Sequence, residues 1–567
     1  MRDRSPTGTD VPAEQSAPSP SGLPQPPADA LADEIVPDQS GDRAGSFRRR
    51  GGAALAWIAG AAVVFFLFLK VSLTKGVDSD GANNALQAWD LLHGHILLHG
   101  WVIGDATYYT FELPVIAIVE FFYGVHDITM TIAEAVIYLI VSAWAVAIAV
   151  TGSRGWSRAV RAAIVVAVLA APAVLMSDVW IPLGIPDHTG TTVFLLASCL
   201  LVDRAPARWF TAPLVCVILA AGQIGDVTVR YVAIPAIVGM CAYRILATRK
   251  VLGCDGVNLL GAALSLPLAL EARKLMLQYG AYLMVSPKTK LSPFSVWGNN
   301  AALTWGSIRE VFGAQPGPGA GPAGPPVVFG YACLAIAVIG IVSVLCRWRT
   351  ARRAEQALVF AIAANIAVYI VSTLPAPNTP HDIVAILPAS AVLGATALVP
   401  QRITSRVMGA VATAFACAAA VLPLSHAASA PEQTASLDEL GSWLQAHGLT
   451  YGLGGYWDSS AVTVETSEKV QIRAIHMVPA YTNAAGVIVP PGLAFYAWET
   501  NSLWYDPTKY YANFAVFNLV DEDLIGSSAA TDFGKPASVH YLGGWEILVY
   551  NKNLLQDVHP SPLPSTS

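Results

Sequence analysis

Residues 77–114 read VDSDGANNALQAWDLLHGHILLHGWVIGDATYYTFELP and follow directly on the first long apolar run of the chain. The stretch holds Asp78, Asp80, Asp90 and Asp105, together with Glu112 and the histidines His93, His95 and His99. From Asp80 the positions Asp80, Asn83, Gln87 and Asp90 recur at i, i+3/i+4, while Leu86, Trp89 and Leu92 turn the other way. That spacing predicts an amphipathic helix lying in a membrane interface, its polar face presented to a cavity. Asp78 and Asp80 stand at its start, where the helix dipole favours carboxylates. Ser79 or Asp80 is the expected cap, and Asp78, outside the helix, is harder to read as one. Asp80 is therefore either a cap or a contact for substrate chemistry. The run HGHILLH lacks the Glu of a zinc-protease motif, so its histidines are expected to make interfacial hydrogen bonds.

The composition places this stretch in a membrane protein. Of 567 residues, 54% are hydrophobic and 13% charged, against about 25% charged in a soluble domain. Apolar runs recur along most of the length. The net charge of −6 says little, because charge is distributed by side of the membrane. Seven cysteines fall in apolar runs or an inner loop without metal-ligand spacing and read as packing residues. No metal site and no cofactor are expected, with divalent-metal dependence left open.

Residues 1–47 are rich in Pro, Ser, Ala, Asp and Gln and read as a disordered tail. Arg48, Arg49 and Arg50 precede the first span, about 53–73, which puts the tail in the cytoplasm by the positive-inside rule. Ten further spans are expected at about 128–150, 160–176, 189–203, 211–224, 231–246, 257–275, 327–346, 357–374, 383–399 and 407–425. Alternate junctions carry Arg154, Arg158 and Arg161; Arg204 and Arg208; Arg244, Arg249 and Lys250; Arg347, Arg349, Arg352 and Arg353; Arg402 and Arg406. All eleven histidines fall on the opposite side or at its edge. The expected fold is thus an α-helical polytopic membrane domain of about eleven transmembrane helices over 48–430. An outer soluble α/β domain follows over 431–557, with a helix at 437–447 and strands at 449–453, 470–475, 514–519 and 545–550. Residues 558–567 are expected to fray.

Other outer loops add candidates. MSDVWIPLGIPDHTGT (176–191) contributes Asp187 and His188, ionisable groups beside membrane. GQIGDVTVRY (222–231) contributes Asp226 and Arg230, which either pair with each other or leave Arg230 to bind phosphate. PNTPHDIVAILP (377–388) contributes His381 beside Asp382. Lys288 and Lys290, with Glu271, Arg273 and Lys274, form a mixed-charge cluster suited to lipid-phosphate contact or to an interfacial belt. Residues 313–326 read as a Gly/Pro linker.

Taken together, an N-in first span, an acidic outer loop with an interfacial helix, a second outer-loop Asp, short spans and a trailing outer α/β domain resemble the GT-C superfamily of polyprenyl-phosphate-sugar-dependent glycosyltransferases. DATYYTFELPVIAIVEFFYG (105–124) is similar to the aromatic run after their catalytic loop, and GYWDSSAVTVETSEKVQI (455–472) to the outer domain of related bacterial members. SDGANNALQAWDLLHGHILLHGW (79–101) also looks like uncharacterised actinobacterial membrane proteins. Asp78-Ser79-Asp80 stands where the family carries an Asp-Glu pair, and His381-Asp382 where Arg-Tyr is frequent. The resemblance implies a multi-pass cell-membrane enzyme, N-terminus cytoplasmic and C-terminal domain outside. It would move a sugar from a polyprenyl-phosphate donor to a hydroxyl of a cell-envelope glycan, lipid or protein, among membrane lipids and without a nucleic-acid partner. Asp78 or Asp80 would act as base, with Asp187 as the second-loop carboxylate. Asn83, Gln87, Asp105, His188, Asp226, Arg230, Lys288, Lys290 and His381 would contact substrate. The alternative is a non-catalytic or transport protein on the same scaffold; a transporter is expected to show an internal repeat, and none is visible.

Overall fold

Long apolar segments in lipid must satisfy their backbone groups internally, so they form helices, and the computed structural model follows that rule. It describes residues 39–172, 183, 188–285, 289–315, 324–376, 379–431, 435–482, 488–520, 529 and 531–562. Met1–Gly60 and Ala61–Ser567 are separate units. The first is described only as the start of helix α1, and all packing below concerns the second.

The helices in chain order are α1 (Gln39–Ser72), α2 (Ser79–Leu92), α3 (Glu112–Tyr123), α4 (Asp127–Ala149), α5 (Trp156–Leu169), α6 (Thr189–Arg204), α7 (Thr211–Gly225), α8 (Ala233–Thr248), α9 (Cys254–Gln278), α10 (Trp297–Val311), α11 (Pro325–Cys346), α12 (Arg353–Val371), α13 (Ile386–Leu398) and α14 (Arg406–Ala427). Each expected span falls on one of them: α1, α4 to α9, and α11 to α14. Among the described residues, seven helical segments are long and apolar enough to cross a membrane, on α1, α4, α8 and α11 to α14. Helix α1 begins at Gln39, inside the stretch expected to be disordered; residues 1–38 lie outside the described ones.

The arginine-rich junctions meet at one end of the bundle. Arg161 donates to the carbonyls of Ala149 (2.9 Å) and Val399 (2.7 Å). Arg352 pairs with Asp203 and reaches the carbonyls of Ile148 and Thr151, and Arg353 pairs with Asp255 at 3.1 Å. These bonds tie the ends of α4, α5, α6, α9, α12 and α13, as alternate crossings require. Between the ends, small residues let helices touch, as is common in membrane interfaces. A Cβ on Gly340 of α11 would meet the backbone nitrogen of Gly394 of α13 at 2.5 Å.

The loops of the opposite end carry two short strands, β1 (Trp101–Ile103) and β2 (Leu283–Met284). There the chain also builds its C-terminal domain: α15 (Ala435–Ala446), β3 (Tyr451–Gly454), α16 (Tyr456–Glu465), β4 (Gln471–Val478), β5 (Tyr481–Thr482), β6 (Ile488–Val489), β7 (Gly492–Phe495), β8 (Thr500–Asn501), β9 (Phe514–Asn518), β10 (Ser538–Leu542) and β11 (Trp545–Val549). Six strands form a mixed sheet ordered β10-β11-β9-β3-β4-β7. Apolar side chains of α15 and α16 pack with Phe514, Val516 and Ile547 in one core, and Leu453, Ile475 and Leu548 belong to another. The expected helix and four strands are present. Helix α16 was not expected: Val462, Thr463 and Val464 favour strand, but the segment is the crossover between parallel β3 and β4. Residues 558–562, expected to fray, run along β7, with His559 N donating to Leu493 O at 2.8 Å.

The domain is sewn to the loops beneath it. Strand β1 pairs parallel with β2 and antiparallel with β8, bringing Trp101 opposite Asn501. Ser502 N donates to Gly100 O at 2.9 Å, and Trp101 and Trp504 meet edge to face at 4.9 Å.

Candidate active site

Helix α2 forms where the polar periodicity predicts it, but its cap and its exposure differ from expectation. The cap is Asp78, whose carboxylate accepts from Gly81 N at 2.9 Å. Asp80 instead accepts from the hydroxyl of Tyr456 in the C-terminal domain. Beyond Asp80 the polar face runs into protein rather than along a cavity. Ser79 donates to Tyr456 O, Ser460 donates to Asn83 Oδ1 at 2.6 Å, and Gln87 Nε2 donates to Glu499 at 2.8 Å. Asn83 and Gln87 are buried, so they dock the domain and are not among the cavity-lining residues. The sequence pattern is the same for a face meeting water and a face meeting a polar protein surface. The three histidines go separate ways: His93 to Trp89 O, His95 to Asp90, and His99 to Gly280 O.

Between the loops and the domain lies a cavity of about 1270 Å³. Of the candidates, it is lined by Asp80, Asp105, His188, Arg230, Lys290 and His381, joined by Arg273, Lys274 and Asp382. Asp187 and Lys288 lie outside the described residues. Asp105, Arg230 and Arg273 line the same cavity, which thus holds two guanidinium groups and a carboxylate. Asp226 and Arg230 do not pair with one another. Arg230 Nε donates to Gln223 at 3.3 Å, while Asp226 caps the short 3-10 helix Val227–Arg230 through Thr228 N at 2.8 Å. Lys274 is exposed and bonds Glu271 at 2.6 Å. Leu270, Met276 and Leu277 of α9 carry the lining toward the apolar helices.

Asp226 sits behind the wall in a buried network. It accepts from Thr191 and pairs with His188 Nδ1 at 3.0 Å, and His188 Nε2 lies 3.4 Å from Asp382. His188 adopts a left-handed backbone (φ 50°) and stacks on His381 with centroids 5.8 Å apart. Burial works to raise the Asp226 carboxyl, but the charge and hydrogen bond of His188, with hydrogen bonds from the Thr191 hydroxyl and Thr228 N, hold it below the usual range. Glu112 accepts from Gly190 N at the start of α6. Burial first, and the nearby Asp226 charge second, push Glu112 up to about 8. Donor atoms of His188, His381 and Asp382 come within 4.8 Å of one another, and those three could hold a cation.

The residues that sequence reasoning missed come from the C-terminal domain: Tyr456, Trp457, Tyr496, Trp498 and Glu499 line the cavity. Glu499 is buried, with a left-handed backbone (φ 45°). It accepts from Gly104 N at 2.6 Å and from Gln87, clamping the residue before Asp105. The run YAWE (496–499) after a strand was a dense aromatic and acidic signal that could have marked them. Burial, followed by the charges of Asp80 and Glu499, raises the Tyr456 phenol well above its usual value, which keeps it a donor to Asp80.

No protein-family model and no curated protein matches the chain. Among solved structures it is similar to ArnT from Cupriavidus metallidurans bound to undecaprenyl phosphate, with TM-score 0.51 and 14% identity over 90% of this chain and 99% of that one. The apo state of the same protein matches with TM-score 0.51 and 12% identity over 90% and 100%. At such identities the likeness is one of fold: the chain carries the GT-C fold of a multi-pass membrane protein.

Proposed function

We propose that the chain is a membrane glycosyltransferase moving a sugar from a polyprenyl-phosphate donor to an acceptor hydroxyl. The reading rests on one observation. A single cavity joins carboxylates (Asp80, Asp105) to a cationic wall (Arg230, Arg273, Lys290) and continues along apolar α9 side chains. A polyprenyl-phosphate sugar needs those surfaces side by side. The fold it shares with an undecaprenyl-phosphate-bound protein adds support.

In this mechanism the donor chain lies along Leu270 and Leu277, and its phosphate is held by the guanidinium forks of Arg230 and Arg273. Asp80 takes the proton of the acceptor hydroxyl, whose oxygen bonds to the anomeric carbon. The bond from that carbon to the phosphate oxygen breaks, its electron pair stays on phosphate, and the cationic wall stabilises the charge. Tyr456 orients Asp80 through its hydroxyl. Asp187 and Lys288 keep their proposed roles as second-loop carboxylate and phosphate contact. On this reading the arginine-rich end faces the cytoplasm and the cavity lies outside.

Protein reconstituted in lipid is to be assayed for sugar transfer from polyprenyl-phosphate donors. Asp80→Asn is expected to lower kcat about 100-fold or more, and Arg230→Gln to raise the donor KM. Full transfer by Asp80→Asn would remove the base from the mechanism.

A further inference from the structure

The two sides of the cavity differ in origin and in charge, although both carry aromatic rings, the membrane domain adding Tyr108, Tyr231, Tyr282 and Tyr369. The cations, Arg230, Arg273, Lys274 and Lys290, all belong to the membrane domain. The C-terminal domain contributes Tyr456, Trp457, Tyr496, Trp498 and Glu499, four aromatic rings and one acid, in a chain that is 9% aromatic.

Three of these rings form one continuous surface. Tyr456 lies 4.7 Å from Tyr496 and 5.2 Å from Trp457, centroid to centroid. The fourth reaches the first loop: a Cβ on Gly104 would meet the Trp498 indole at 3.1 Å, so that ring lies against the residue before Asp105. Trp457, Tyr496 and Trp498 belong to none of the hydrophobic cores of the domain, and Trp457 is 45% exposed although its neighbour Tyr456 is buried.

We propose that this aromatic wall is the acceptor subsite and that the acceptor is a neutral glycan. The inference rests on the glycosyltransferase reading above and deepens it. A sugar ring offers a face of polarised C–H groups to the negative face of an aromatic ring, and its hydroxyls need acceptors, which Asp80 and Glu499 supply. An anionic acceptor meets two carboxylates and no cation on this wall. A glycan laid across Trp457 and Trp498 brings a hydroxyl between Asp80 and Asp105, with the donor phosphate on the cationic side.

The test uses the full chain in lipid nanodiscs. Binding of maltotetraose, mannotetraose and an α-linked arabinofuranose tetrasaccharide is measured by saturation-transfer NMR, and binding of undecaprenyl phosphate is measured separately. At least one tetrasaccharide is expected to bind with Kd below about 10 mM, and Trp457→Ala with Trp498→Ala to weaken it about tenfold or more. Trp457→Phe, which keeps a ring, should recover most of the affinity, and undecaprenyl phosphate binding should stay within about twofold. If undecaprenyl phosphate binds but no tetrasaccharide does, or if the double variant binds tetrasaccharide as well as the parent, the acceptor assignment is overturned while the donor site stands. If undecaprenyl phosphate fails to bind at all, the glycosyltransferase reading falls first and takes the acceptor subsite with it.

Discussion

Replacing Glu499 by Ala should detach the C-terminal domain from the loop it clamps. The carboxylate accepts from Gly104 N at 2.6 Å and from Gln87 Nε2 at 2.8 Å, and both partners are buried. Hydrogen bonds to a charged group contribute about 1.5–3 kcal/mol each. Losing both, with two donors left unsatisfied, should cost about 3–5 kcal/mol. The backbone strain at φ 45° is not relieved, because Ala avoids that region as Glu does. Glu499→Gln is the informative partner. Gln87 Oε1 is buried without a hydrogen-bond partner, so a flipped Gln87 amide can accept from the new side chain while Gly104 N keeps its acceptor. Thermal unfolding of detergent-solubilised protein should place Glu499→Ala about 10 °C or more below the parent and Glu499→Gln within a few degrees. Equal melting of parent and Glu499→Ala would refute the clamp. Equal damage from both variants would show that the charge, and not the pair of bonds, holds the domain.

Asp78→Asn should leave transfer activity and melting close to parental, because Asn caps a helix as well as Asp, whereas Asp78→Ala should cost about 1 kcal/mol in unfolding experiments. Glu112 binds its proton more tightly folded than unfolded, so its contribution to stability is full below about pH 4.5 and is lost as pH rises to about 8. That interval corresponds to about 5 kcal/mol; Glu112→Gln should flatten the melting profile from pH 5 to 8, and an unchanged slope would reject Glu112 as its source. Gly340→Ala puts a methyl against the backbone of α13 and should destabilise by about 1–3 kcal/mol, read as a lower melting temperature and, if the helices separate, altered gel-filtration behaviour.

What was legible in the sequence follows from periodicity and charge bias. Those two signals place eleven helices and gather the arginines at one end, and the Asp80, Asn83, Gln87 spacing locates α2. Neither signal reports what a polar face meets, so the spacing suits a cavity although Asn83 and Gln87 dock against Ser460 and Glu499. Helix α16 was hidden by Val462, Thr463 and Val464, whose strand preference is overridden by the crossover geometry of β3 and β4. Trp498 and Glu499 sit in an irregular turn with no period to read, and the pairing of β8 with β1 and the Glu499 bonds to Gly104 and Gln87 carry them to Asp105. Asp80, Asp105, Arg230 and His381, singled out as polar groups of the outer loops, line one cavity.

The pairing of β1 with β8 also sets the order in which the protein can become competent. Gly100 and Ser502, bonded across this junction, are 402 positions apart in the chain. At about 5–20 residues per second, a ribosome needs roughly 20–80 s to pass from one to the other. Throughout that interval the first loop, already translated, waits without the rings and the carboxylate that complete its chamber. A nascent chain halted anywhere in between carries Asp80, Asp105 and Arg230 or a subset of them, yet no closed chamber around a donor. Completion of the cavity wall therefore waits until synthesis has passed residue 502.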